Sequence, residues 1–161
     1  MLKKIKNFIF QLIYIFLITY LVVFIPVFWG HKPLVIISGS MSPTLQIGGI
    51  LYYHEYDVKN FKKGDILVYK TKDHIISHRV VEKTQDGYVT KGDYNKSNDS
   101  NIVNFNQILG KGTNWCIPYI GYYADFIYNH KYILYTFLFM IIIDAIYDNA
   151  KKKKDINDEK N

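Results

Sequence analysis

A chain of 161 residues has room for one modest domain plus anchoring segments, and too few residues for a second sizeable core. It is 49% hydrophobic with a formal charge of +6, yet between His31 and Lys131 there are 12 Lys/Arg against 9 Asp/Glu. Much of the remaining excess sits at Lys3, Lys4 and Lys6 and in the run Lys151–Lys154, beside apolar segments, which argues for a membrane flank and against a nucleic-acid partner. The single cysteine, Cys116, excludes an intrachain disulfide, and one cysteine with scattered histidines lacks metal-ligand spacing, so no metal or organic cofactor is expected.

Residues 1–7 form a basic start that is expected to face the cytoplasm. Phe8 to Trp29 carries no charged side chain and only Gln11 and Thr19 as clearly polar residues. About 20 apolar residues in a helix cross the hydrocarbon core. A cleavable leader would have a shorter apolar stretch followed by a small-x-small site, and neither fits here. The segment 8–29 therefore reads as a retained transmembrane anchor with its N-terminus inside.

The middle, 31–129, reads as mostly β. Pro33–Ile37, Gly49–Tyr53, Asp65–Tyr69, Ile75–Val81 and Tyr88–Thr90 are short apolar or β-branched strand candidates, with Asp86-Gly87 as a hairpin turn. Helical periodicity of useful length is absent before Tyr123, and Asp93–Asn101 is a polar, Asn-rich loop. The sequons at Asn95 and Asn98 lie in that loop and read as coincidental.

A second apolar stretch, Tyr132 to Tyr147, is about 16 residues long, marginal for a span. Asp144 stands near its end and four lysines follow, which puts the acid at the cytoplasmic interface. We read 132–147 as a second transmembrane helix, the alternative being an interfacial one, and 148–161 as a charged cytoplasmic tail, disordered after Ala150. The expected fold is mainly β: a compact antiparallel sheet domain on the exported side, flanked by two membrane helices, with both termini inside.

The chemistry concentrates in Ser38–Leu45, SGSMSPTL. A serine between glycine and methionine, with Pro43 three residues on, suits a nucleophile on a tight turn. A serine hydroxyl needs a base to take its proton. Of the five histidines, His31 and His130 lie at the membrane boundaries and His54 follows a strand with nothing catalytic beside it. His74 and His78, four apart on one strand, share a face, and composition does not choose between them.

SGSMSPTL resembles the nucleophile box of type I signal peptidases, membrane-bound serine proteases that remove signal peptides. ISHRVV, Ile76 to Val81, resembles the box that carries their base. The histidine there resembles the endoplasmic-reticulum and archaeal branch, also found in Gram-positive and sporulating bacteria, where other bacterial enzymes carry lysine. TKGDYN, Thr90 to Asn95, with Asp99 six residues after Asp93, resembles the third box, although Tyr94 replaces a small polar residue. Gly64–Tyr69 (GDILVY) and Ile117–Tyr122 (IPYIGY) resemble two further segments, the first of them structural.

The resemblance implies Ser40 as nucleophile, His78 as general base and Asp99 as the third member. It also implies a supporting role for Asp93 and an oxyanion made from the Ser40 N–H and the Ser38 hydroxyl. It implies signal peptides of exported precursors as substrates, with small side chains at the cleavage site. The lipid bilayer and the translocation machinery would be partners, and in a prokaryote the location would be the plasma membrane. The alternatives are a catalytically degenerate membrane scaffold and a more specialised serine peptidase of the same clan. Gly110–Trp115 lacks the β-branched run usual in this family, which puts the strand expected there in doubt.

Overall fold

The computed structural model describes residues 2–158. The chain divides into two compact units: Val23–Asp125, and a helical unit made from the segment up to Val22 together with the segment from Phe126. In the first unit, strands β1 (Lys32–Val35), β2 (Ile50–His54), β3 (Ile66–Lys70), β4 (Ile75–Lys83), β5 (Gly87–Lys91), β6 (Val103–Asn104) and β7 (Ile108–Ile117) form one sheet. Its order is β1-β2-β7-β3-β4-β5-β6, and every pairing is antiparallel. This is the mainly β, antiparallel fold expected from the sequence.

Strand β3 explains why the sheet has a core on both faces. Successive side chains of a strand alternate between faces. Ile66 and Val68 enter one cluster with Met41, Leu45, Leu51 and Tyr53, while Leu67 and Tyr69 enter another with Phe61, Val80, Tyr88 and Val103. A strand buried on both faces reads as a continuous apolar run, which is how ILVY reads. Each such side chain contributes about 1.5–3 kcal/mol by leaving water.

Two expectations are corrected. Residues 110–115, where the missing β-branched run put a strand in doubt, lie inside the ten-residue β7, between β2 and β3 in the sheet. Close packing overrides propensity there: a Cβ on Gly110 would stand 2.1 Å from the His54 carbonyl oxygen, so the glycine is what lets β7 approach β2. The charged segment after Ala150, expected to be disordered, continues helix α3 (Lys131–Asp158). It is rich in lysine and contains neither glycine nor proline, so nothing in it stops a helix already running. The remaining tail residues, 159–161, lie outside the described residues.

Two helices are long and apolar enough to cross a membrane, over Lys4–Trp29 and Lys131–Lys153. The first comprises α1 (Leu2–Phe24) and a short 3-10 turn, Ile25–Trp29. Helix α2 (Ile120–Asn129) precedes α3. Within the helical unit α1 and α3 run antiparallel: Phe16 meets Phe137 edge to face at 5.3 Å, and the Lys6 ammonium pairs with the Asp144 carboxylate.

Candidate active site

Beyond β1 the chain leaves its ladder and turns. The Ser42 N–H donates to the Gly39 carbonyl at 3.0 Å, closing a tight turn around Ser40 and Met41. Met41 and Leu45, almost wholly buried in the core, pin the turn from below. From the side, the Tyr94 N–H donates to the Ser40 carbonyl at 2.9 Å. Gly92 permits that approach, since a Cβ there would lie 2.5 Å from the same oxygen. The serine is therefore held by backbone on two sides while its hydroxyl stays accessible.

His78 sits on β4 opposite Leu67 of β3 and is buried. Its Nε2 lies 3.0 Å from Ser40 Oγ, and its Nδ1 lies 2.6 Å from Asp99 Oδ2. A carboxylate only accepts, so Nδ1 carries the proton and Nε2 is left to accept from the serine hydroxyl. Asp99 is fixed in turn by Thr90, whose hydroxyl donates to Oδ2 at 2.6 Å and whose carbonyl accepts the Asp99 N–H at 2.8 Å. The Tyr69 ring packs edge to face on the imidazole, with centroids 6.4 Å apart.

Asp93 has different partners. Arg79 donates to it from Nε at 2.8 Å and from Nη2 at 2.6 Å, and the Thr44 hydroxyl donates at 2.6 Å. The third arm of Arg79 donates to the Gly64 carbonyl at 2.7 Å. The Arg79 guanidinium holds the Asp93 carboxyl below the usual carboxylate range and is itself pushed up by that carboxylate. This bidentate pair ties the serine loop, through Thr44, to β4 next to His78.

Ser38 Oγ lies 3.3 Å from Ser40 Oγ. His74 is exposed in the turn before β4, where its N–H donates to Thr71 Oγ1. His31 and His54 pack against each other across β1 and β2 with centroids 5.3 Å apart, and His130 stacks on Phe126. Thus one histidine of five is brought to the serine. Thr44, Thr90, Arg79 and Tyr69 took no part in the sequence reading of the site. All four stood within the runs singled out, but only a through-space contact assigns a hydroxyl, a guanidinium or a ring to its partner.

A cleft of about 360 Å³ leads up to the serine. One wall is Leu34–Ser38 and the other His74–His78. Both walls are strand edges with open pairing sides, since β1 is the first strand of the sheet and β5 pairs with β4 only from Arg79 onward.

The family described as signal peptidase, peptidase S26, matches residues 9–91, which include Ser40 and His78. The catalytic subunit SEC11 of the signal peptidase complex from Candida albicans (strain SC5314) is 31% identical over 134 residues, covering 74% of this chain and 80% of that protein. The SEC11 subunit of Lachancea thermotolerans is 32% identical over 137 residues, with the same coverage. Signal peptidase I W of Bacillus subtilis is 28% identical over 131 residues, covering 73% of this chain and 69% of that protein. With half of the chain matched by the family and most of it by these relatives, the chain belongs to the signal peptidase family, peptidase S26, as a type I signal peptidase.

Proposed function

We propose that the protein is a membrane-bound serine endopeptidase that removes signal peptides from exported precursors through an acyl-enzyme, with Ser40, His78 and Asp99 as its catalytic residues. The observation that carries this reading is the hydrogen-bonded line from Ser40 Oγ through both ring nitrogens of His78 to Asp99. His78 Nε2 takes the Ser40 proton as Oγ attacks the scissile carbonyl, and Asp99 stabilises the imidazolium that forms. The imidazolium then gives that proton to the departing amine, which is the new N-terminus of the mature protein. Water, deprotonated by the same nitrogen, hydrolyses the ester and returns the proton to Ser40. The Ser40 N–H and the Ser38 hydroxyl would receive the oxyanion. The substrate would lie extended in the cleft, adding its backbone to one of the open edges.

In this reading the base is a histidine, as in the endoplasmic-reticulum and archaeal branch, and Asp93 supports the site through Arg79 and Thr44. Residues 8–29 and 132–147 span the bilayer, 31–129 face the exported side and both termini are cytoplasmic. The Lys6–Asp144 pair supports that arrangement, because it neutralises the one acid of the second span beside the basic start of the first. Translocation machinery would deliver the precursor.

Ser40→Ala removes one oxygen at a turn held by its neighbours. It should abolish precursor cleavage while leaving expression and membrane insertion intact. Wild-type cleavage by this variant would overturn the reading.

A further inference from the structure

The hydrogen-bonded line does not end at Asp99. The Thr90 side chain is fully buried, and its hydroxyl proton is committed to Asp99 Oδ2, the same oxygen that receives His78 Nδ1–H. A hydroxyl has one proton to give, and Thr90 gives its own to the carboxylate. The Thr90 hydroxyl and the His78 Nδ1–H thus both point at Asp99 Oδ2, while the serine hydroxyl faces the other ring nitrogen.

We propose that Thr90 is a positioning residue for catalysis, which fixes the Asp99 carboxylate and through it the tautomer and tilt of His78. The proposal rests on the reading of Ser40, His78 and Asp99 given above. Two features make this more than packing. Two donors converge on Oδ2, so the carboxylate cannot rotate without breaking both bonds. The Asp99 N–H also donates to the Thr90 carbonyl at 2.8 Å, so one residue holds Asp99 by side chain and by backbone.

The test uses the full chain purified in detergent with a precursor peptide as substrate. Thr90→Val replaces the hydroxyl by a methyl of nearly the same shape. It should lower kcat about tenfold, the worth of one hydrogen bond to a charged group, with KM unchanged, and Thr90→Ser should recover most of that loss. On an Asp99→Ala background Thr90→Val should not lower kcat further, because nothing is left to position. Full activity of Thr90→Val, with Asp99→Ala impaired, would overturn the proposal and leave the three catalytic residues standing. Equal fold losses on both backgrounds would overturn it in favour of a purely structural role. Full activity of Asp99→Ala would instead overturn the reading on which the proposal rests. Should Thr90→Val fail to fold, Thr90→Ala is read by the same criteria.

Discussion

Asp93 and Asp99 are six residues apart in one loop, and both are partly buried, yet their partners belong to different kinds of chemistry. Asp93 meets a guanidinium that stays charged at every working pH, and Arg79 grips it with two parallel bonds. Asp99 meets a hydroxyl and an imidazole. The first carboxylate is satisfied before any reaction begins. In the proposed mechanism the second faces a group that acquires its charge during the reaction, so its attraction would be strongest at the transition state. A carboxylate beside a permanent cation holds structure in place, whereas one beside a titratable ring can change a rate.

The largest effect should come from the ring itself. His78→Ala should lose activity by roughly 10⁶-fold, as for removal of a base that acts as a unit with its nucleophile. His74→Ala should keep most activity, because His74 is bound only to the turn before β4. His78→Lys should also be nearly inactive at neutral pH. A lysine base must be neutral, and Asp99 beside it would keep the ammonium charged. Strong activity of His78→Lys would show that the pocket can hold a neutral amine and would remove Asp99 from its role. All three are read as initial rates on one precursor peptide.

Next in size is the contrast between the two acids. Asp99→Ala should lower kcat by about 10³–10⁴-fold with little change in melting temperature. Asp93→Asn should do the reverse. Losing the charge opposite Arg79 should cost about 2–3 kcal/mol of stability, less than a fully buried pair because both side chains keep some solvent contact. Equal kinetic losses in the two variants would dissolve the distinction.

The Asp93 contrast has a pH signature. Its carboxyl is held below its ordinary value in the folded chain, so the unfolded chain takes up that proton at higher pH. The stabilisation is therefore fully present above the ordinary carboxylate value of about 3.9 and is lost as pH falls through the depressed one. Melting curves in detergent should show a gap between wild type and Asp93→Asn that is constant from pH 7 to about 5 and closes as the pH falls below about 4. A gap that widens in acid would contradict the ion pair. The smallest effect should be that of Thr44→Val, which removes one neutral donor to Asp93 while Arg79 still holds it. About 1 kcal/mol of stability and a modest loss of rate are expected.

How much of this was legible in the chain follows the range of the interactions. The strands of ILYY, ILVY and IISHRVV announce themselves because burial imposes a local apolar pattern, and long uncharged runs announce the two apolar helices. The strand β7 did not, because its glycines answer to a neighbour, the His54 carbonyl, far away in sequence. At the site, Ser40 stands out through its turn residues and the runs around His78 and Asp99 through their family pattern. The contacts that separate Asp93 from Asp99 are different. Arg79 is adjacent to His78 in sequence, yet in an extended strand neighbouring side chains leave on opposite faces, so it reaches a different carboxylate. Thr90 and Tyr69 lie on β5 and β3, on either side of β4, and reach Asp99 and His78 only once the sheet is formed.

The most direct measurement asks whether the group at position 40 is coupled to His78. In Ser40→Cys, site-resolved alkylation by iodoacetamide at neutral pH reports how much thiolate the imidazole generates, with Cys116 of the same molecule as internal reference. An imidazole 3.0 Å from the position 40 side chain should make the introduced thiol react at least about tenfold faster than in Ser40→Cys/His78→Ala, while the rate at Cys116 stays the same. Equal rates at position 40 with and without His78 would contradict the assignment of His78 as the base.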